Sequence, residues 1–312
     1  MALAGAARAS TAPRDAIMTL MSQLPTRPAE RPSNECSPSD TPETAASSAT
    51  PSGAAPSAQP ILPPTVVVAP PPSLARVVAR WLRDSLRARG VAGSLRYLRE
   101  QFVECFKDSL PERRRSRFGD IDYDCDHAVD TTWARLPISV RLREVFSERL
   151  YQPTVESEFA EIMQQLAAVD FERFTFIDMG SGKGRVLLMA AMYPFARVLG
   201  VEVQPELDAI AQRNILAFAE PGRQCRQLES LCADAREFDF PAGDLVVYLF
   251  NPFPDYVLRD VLAKLIANAQ REPRRIYVLY NAPFERQEFE RRPELRKFHA
   301  TPQYELYRVV LK

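Results

Sequence analysis

The residues best suited to chemistry are concentrated in one stretch, Phe174-Thr-Phe-Ile-Asp178-Met-Gly180-Ser181-Gly182-Lys183-Gly184-Arg185. An apolar run ends on an acid, glycines follow at alternate positions, and Val186-Leu-Leu-Met resumes a helical pattern. That order reads as a strand passing through a glycine turn into a helix. In open α/β sheets, ligands bind outside the carboxyl ends of strands. Glycines there let the backbone approach, and a helix N-terminus offers amide donors. A phosphate loop of the form GxxxxGK[ST] does not fit, because Lys183 is followed by Gly184. A dinucleotide GxGxxG does not fit either, because its third glycine would fall at Arg185. The pattern present is DxGxGxG.

Three later positions extend this one. Glu202 closes Gly200-Val-Glu202, 22 residues past Gly180. An acid about 20 residues on is where ribose hydroxyls are held in strand–turn–helix nucleotide folds. Asp234 and Ala235 follow the next expected strand, and Asn251-Pro252-Phe253 follow the one after. Asn251 can accept from an N–H through its carbonyl. Pro252 stiffens the turn, and Phe253 offers an aromatic face to a flat or cationic group. Each residue also has a structural reading. Asp178 could cap the next helix, Glu202 could be a surface carboxylate, and Asp234 could cap a turn. Thr154 could be the N-cap of its helix, and Asn251-Pro252 could only end a strand.

The elements that must position these residues alternate. Strands are expected at 174–178, 198–203, 227–231, 245–250 and 275–280, with helical stripes between them and a helix at 154–168. Pro205 and Pro254 sit where first helical turns begin. Such alternation implies βαβ units and a mostly parallel sheet, and Leu-Val-Val-Tyr-Leu-Phe at 245–250 suits a strand buried on both faces. Two last strands, around Phe298 and at 306–311, are close enough to form a hairpin.

Upstream the character changes. Residues 1–72 contain no Phe, Tyr or Trp and hold 14 of the 27 prolines. Such a segment cannot bury enough surface to offset its ordering entropy and is expected to be a disordered tail. Residues 73–150 are expected to form a helical basic segment and an acidic loop. Leu74, Val77, Trp81 and Leu82, then Leu95, Leu98, Phe102 and Phe106, recur at helical spacing. Gly90 and Gly93 divide the two helices, and Ser94 is a candidate N-cap. From Arg76 to Arg117, 12 basic and five acidic residues give +7. The run Asp120-Ile-Asp122-Tyr-Asp124-Cys-Asp126 fails as a calcium loop, since the required glycine and glutamate are replaced by Cys125 and Thr131. It reads as a loop near a cationic ligand or as a solvated turn.

Composition removes several classes. Forty basic and forty acidic residues cancel to zero, against a generic nucleic-acid or membrane-surface protein. The longest apolar run, Val186–Phe195, is ten residues, against the roughly 18 a membrane span needs. Five scattered Cys and two His argue against a disulfide framework and a zinc site, and reduced thiols point to the cytoplasm.

On the DxGxGxG loop, Glu202, Asp234 and Asn251, the chain from Tyr151 to Lys312 resembles the class I S-adenosylmethionine-dependent methyltransferases. The resemblance implies a Rossmann-like seven-stranded, mostly parallel sheet with an antiparallel last strand, spanning 151–312. It implies S-adenosyl-L-methionine as cofactor and no metal. Asp178, Gly180, Ser181, Gly182 and Gly184 would hold the methionine moiety. Glu202 would take the ribose hydroxyls, and Asp234 with the Ala235 amide the adenine. A further similarity is to the disruptor-of-telomeric-silencing-type histone-lysine methyltransferases and their bacterial relatives. It rests on Tyr151-Gln-Pro-Thr154, with Tyr151 and Thr154 as cofactor contacts, and on Asn251-Pro252-Phe253 as the catalytic turn. Lys183 in the glycine loop departs from that pattern. The expected activity is N-methylation of a protein side chain. The alternatives are methylation of a small molecule or nucleobase, or a non-catalytic cofactor-binding module. Nucleic acid, met through the basic helices at 76–117, is the less favoured partner.

Overall fold

Alternate residues of the central strands enter opposite hydrophobic cores. The computed structural model describes residues 73–107, 121–132, 136–147 and 151–311, all within one compact unit. The expected tail at 1–72 lies outside them, as do Asp120 and residues 108–119 of the basic segment. In chain order the helices before the sheet are α1 (Leu74–Lys107), α2 (Ile121–Asp126), α3 (Ile138–Ser147) and α4 (Glu156–Gln164). The sheet region then runs β1 (Phe174–Met179), α5 (Arg185–Ala190), β2 (Arg197–Glu202), α6 (Pro205–Ala217), β3 (Leu228–Cys232) and β4 (Asp244–Phe250). It closes with α7 (Asp255–Arg271), β5 (Ile276–Asn281), α8 (Arg286–Glu290), β6 (Leu295–Ala300) and β7 (Tyr304–Val309).

The period-two side-chain rule divides the strands cleanly. Phe174 and Phe176 of β1, with Val246 and Tyr248 of β4, join the core covered by Phe159, Ile162 and Met163 of α4 and Leu187 and Leu188 of α5. Ile177 and Met179, with Leu245, Val247 and Leu249, join the core covered by Leu258, Val261, Leu262 and Leu265 of α7. Each such side chain contributes about 1.5–3 kcal/mol on burial. Losing the apolar run in β4 would remove part of both cores.

The sheet has seven strands among the described residues, in the order β3-β2-β1-β4-β5-β7-β6. β1 to β5 are parallel, and β7 runs antiparallel between β5 and β6. The expected Rossmann-like fold with an antiparallel last strand is therefore present. The order reverses between β1 and β4. The crevice at the carboxyl ends of those two strands is where open α/β sheets bind ligands.

The helical segment differs from expectation in three ways. The two helices read at 73–117 follow one another directly through a kink at Gly90 (φ 66°), because glycine tolerates a left-handed backbone that branched residues resist. Ser94 is not an N-cap: its hydroxyl bonds Gly90 O at 2.8 Å and Ser85 Oγ at 2.8 Å, fastening the two arms of the kink. Helix α3 was not expected. It is held by Phe146 edge-on to Trp81 at 5.3 Å and by the Tyr97 hydroxyl donating to Val145 O at 3.1 Å. Among the described residues no helix is long and apolar enough to cross a membrane.

Candidate functional site

Four strand ends open on one cavity of about 250 Å³ at the topological switch. β1 delivers Asp178, Gly180, Ser181 and Gly182, and β2 delivers Glu202, Val203 and Gln204. β3 delivers Ala233 and Ala235, and β4 delivers Tyr248, Phe250, Asn251, Pro252 and Phe253. The extended segment before α4 adds Tyr151 to Thr154, and α3 adds Arg143.

Glu202 is the electrostatic hinge of this site. It is 6% exposed, accepts the Gly182 amide at 3.0 Å through Oε2 and accepts the Gln204 amide at 2.8 Å through Oε1. Burial pushes its carboxyl up to about 7, although the two amides pull the other way. Asp178 is 3% exposed, and burial, with Glu202 nearby, holds it well above the usual carboxylate range. Two buried acids at one cavity are costly to ionise without a cation. A ligand carrying positive charge and hydroxyl donors would relieve both.

The glycines are dictated by close approach. Gly182 has φ +54°, and a Cβ there would collide with the Tyr151 ring. Gly180 has φ +90°, and a Cβ would come within 2.5 Å of Pro252 Cβ, so the β4 turn rests directly on the β1 loop. Gly184 does another job: it begins α5 and faces Ala211 of α6 at 3.1 Å, away from the cavity lining.

Lys183 and Arg185 explain the charge in the loop. Lys183 is fully buried and points away from the cavity lining, donating to Asp130 Oδ1 at 2.8 Å and to Thr132 O at 2.7 Å. Arg185 donates through Nε to Thr131 Oγ1 at 2.6 Å, pairs with Asp124 Oδ1 at 3.2 Å and lies over the Tyr123 ring at 4.7 Å. Asp124 also accepts the amides of Thr131 and Thr132, each at 2.9 Å, and the Thr131 hydroxyl. Asn214 of α6 bonds Asp130 O, Lys183 O and the Asp130 amide, each at 2.8 Å. Residues 121–126 of the acidic run, expected as a loop, form helix α2, and Asp124 is a buttress beneath the glycine loop. Sequence missed this because Lys183 and Arg185 lie 51 to 61 residues from the side chains and carbonyl that hold them, with no local pattern linking them.

Other expected residues are placed as follows. The Tyr151 hydroxyl donates to Thr131 O at 2.8 Å and meets the Lys183 amide, and its ring packs against Gly182, so the whole side chain borders the loop. Thr154 does not cap α4: Val155 holds that position, and the Thr154 hydroxyl bonds Tyr248 OH at 3.0 Å. Asn281, which sequence did not suggest, donates to the same Tyr248 oxygen at 3.0 Å. Asp234 is not part of the lining. Its carboxylate is held by Arg236 at 2.6 Å, which lowers its pKa, and only Ala235 of that pair lines the cavity. Asn251 has φ +41°, and Tyr280 OH donates to its Oδ1 at 3.3 Å. Buried polar atoms also remain at the wall: Ser181 Oγ and Gln204 Oε1 have no hydrogen-bond partner among the described residues. A cavity wall that pairs glycine cradles with orphaned polar atoms fits a ligand of mixed polarity.

No family model matches the chain, and no curated protein matches it. Solved structures with likeness to it include a magnesium protoporphyrin IX methyltransferase from Synechocystis PCC 6803 with bound SAM. That protein is 12% identical over 64% of this chain and 95% of its own, with a TM-score of 0.39. An RNA methyltransferase from Salinibacter ruber, in complex with S-adenosyl-L-homocysteine, is 20% identical over 50% and 92%, with a TM-score of 0.34. A ribosomal protein L11 methylase from Lactobacillus delbrueckii subsp. bulgaricus is 15% identical over 50% and 78%, with a TM-score of 0.36. The chemistry of the site rests on its own residues.

Proposed function

We propose that this chain is an S-adenosylmethionine-dependent methyltransferase that methylates nitrogen, with a protein side chain as acceptor. The observation that carries the reading is Glu202. It is a buried acid at the end of β2, fastened to the glycine loop by the Gly182 amide, and it faces the same cavity as Asp178. Its carboxylate is oriented by the Gly182 and Gln204 amides and faces the cavity, where the hydroxyls of a ribose would meet it. Asp178 and Glu202 together suit a ligand bearing a sulfonium and an ammonium group.

S-adenosylmethionine supplies the activated methyl group and its leaving group. The chain's residues need only align the acceptor, exclude water and leave a nitrogen lone pair free. The Tyr280 hydroxyl donates to the Asn251 carbonyl and fixes that side chain at the cavity wall, where it would orient an acceptor N–H. Phe253 lines the same wall and offers a face to a cationic or flat group. The narrower kinship with telomeric-silencing-type histone-lysine methyltransferases belongs to this proposal, resting on Tyr151, Thr154 and Asn251-Pro252-Phe253. So does the division into a tail at 1–72, a covering segment at 73–150 and a catalytic domain at 151–312.

The test is transfer of a radiolabelled methyl group from S-adenosylmethionine into a cell lysate split into protein, nucleic acid and small molecules. Label in protein, released on hydrolysis as an N-methylated amino acid, is expected. Label confined to another fraction would overturn the acceptor. Cofactor binding with no transfer to any fraction would favour a non-catalytic binding module.

A further inference from the structure

Arg143 lies at the cavity wall on α3, an element with no motif in the sequence. The helix backbone is fixed from both sides. Val140, fully buried, packs with Leu136 and with Leu207 of α6, against which Tyr151 also packs, and Phe146 meets Trp81 of α1. The side chain is partly buried, and its Nε and Nη1 are closed off from solvent with no hydrogen-bond partner among the described residues. Glu206 of α6 approaches Nη1 to 3.7 Å, close enough to balance charge and too far for a hydrogen bond. Folded proteins leave few buried donors unmatched, since each such group has given up water for nothing. Orphaned N–H groups at a cavity wall are donors that a ligand acceptor would satisfy.

We infer that Arg143 is a ligand-binding residue, donating from Nε and Nη1 to the nucleoside end of the bound cofactor. The inference rests on the proposed function. Its position selects that end. Glu206 belongs to the first turn of α6, soon after β2 and Glu202, and Leu207 of that turn, with Val203 and Gln204 just before the helix, shares the lining with Arg143. Purine nitrogens and ribose oxygens there offer acceptors and no charge. The amino-acid end, with its sulfonium, ammonium and carboxylate, falls to the β1 side, where Asp178, the glycine loop and Arg185 line the cavity. Arg143 thus closes the nucleoside side of the cavity, while Asp178 and the glycine loop serve the charged side.

The experiment titrates S-adenosylhomocysteine and 5′-methylthioadenosine by calorimetry into the full chain and into Arg143→Met, Arg143→Lys and Glu206→Gln. Methylthioadenosine shares the nucleoside and lacks the amino-acid end. Arg143→Met should weaken both ligands by the same factor, about 10- to 100-fold, the scale of hydrogen bonds from a charged donor. Arg143→Lys should recover part of the loss, and Glu206→Gln should stay within about threefold of wild type. Loss of S-adenosylhomocysteine affinity alone would place Arg143 at the amino-acid end and overturn the inference. Equal losses in Arg143→Met and Glu206→Gln would reduce Arg143 to a tie between α3 and α6. Unchanged affinity in Arg143→Met with a binding wild type would overturn this inference alone. A wild type that binds neither compound would overturn the proposed function with it.

Discussion

Lys183 Nζ donates at 2.8 Å to Asp130 Oδ1, tying the glycine loop to a segment 53 residues earlier in the chain. The two ends of the pair are unequal. The Lys183 side chain is fully buried, whereas Asp130 retains 27% exposure. Removing one partner of a buried pair costs most when the charge left behind cannot reach water. Asp130→Asn should therefore destabilise the protein by about 3 kcal/mol, and Lys183→Met by only about 1 kcal/mol. Denaturant unfolding of both variants checks this. Equal losses, or a larger loss for Lys183→Met, would contradict the buttress account.

Gly182→Val should abolish cofactor binding and lower the melting temperature. Two independent costs act there: a positive φ that β-branched residues resist, and collision with the Tyr151 ring. Adding Tyr151→Ala should recover part of the stability, because it removes the collision and not the strain. Calorimetry beside thermal melts separates the two. Wild-type affinity in Gly182→Val would remove the loop from the binding site.

Cofactor affinity should depend on pH through Glu202. Its ordinary pKa of 4.5 is raised to about 7 in the folded chain, chiefly by burial. In the ligand-free protein its stabilising contribution is therefore complete below the ordinary value and is lost as pH rises through about 7. Hydroxyls donated by a ribose favour the ionised form, so binding releases a proton below that pH. Affinity should rise between about pH 5 and 7 and level off above. Asp178, also raised, should contribute in the same direction. Titration in buffers of different ionisation enthalpy measures the proton released. Glu202→Gln should flatten the profile, and an unchanged slope in that variant would assign the effect elsewhere.

Asn251→Ala should lower turnover by about 100-fold while leaving cofactor affinity within about threefold. Tyr280→Phe, which removes the hydroxyl donating to Asn251 at 3.3 Å, should cost less, about two- to tenfold in turnover. Single-turnover kinetics beside a binding titration checks both. A parallel fall of binding and turnover in Asn251→Ala would make Asn251 a cofactor or folding residue.

Legibility from sequence followed locality. The path from β1 through Gly180, Gly182 and Gly184 into α5 was readable because a strand, a turn and a helix leave contiguous patterns. Glu202 was readable because a parallel βαβ unit fixes its spacing from the loop. Asp234 lies outside the cavity lining with its carboxylate held by Arg236, two residues away, a pairing that spacing alone cannot show. Asp124, Asp130 and Arg143 were unreadable for the opposite reason. Asp124 and Asp130 act on the glycine loop only because residues 121–132 fold against it, and Arg143 reaches the cavity only because α3 packs on α6. The Thr154–Tyr248–Asn281 hydrogen bonds likewise join three elements that only the sheet brings together.

The measurement closest to the central claim is a calorimetric titration of the wild-type chain with S-adenosylhomocysteine, and separately with NADH. One site per chain for S-adenosylhomocysteine is predicted, with a dissociation constant in the roughly 1 μM to 1 mM range usual for enzyme ligands. It should be weakened by about 1.5–3 kcal/mol in Glu202→Ala, the scale of hydrogen bonds to a charged group. NADH should not bind. Tight NADH binding, or S-adenosylhomocysteine binding that Glu202→Ala leaves untouched, would contradict it.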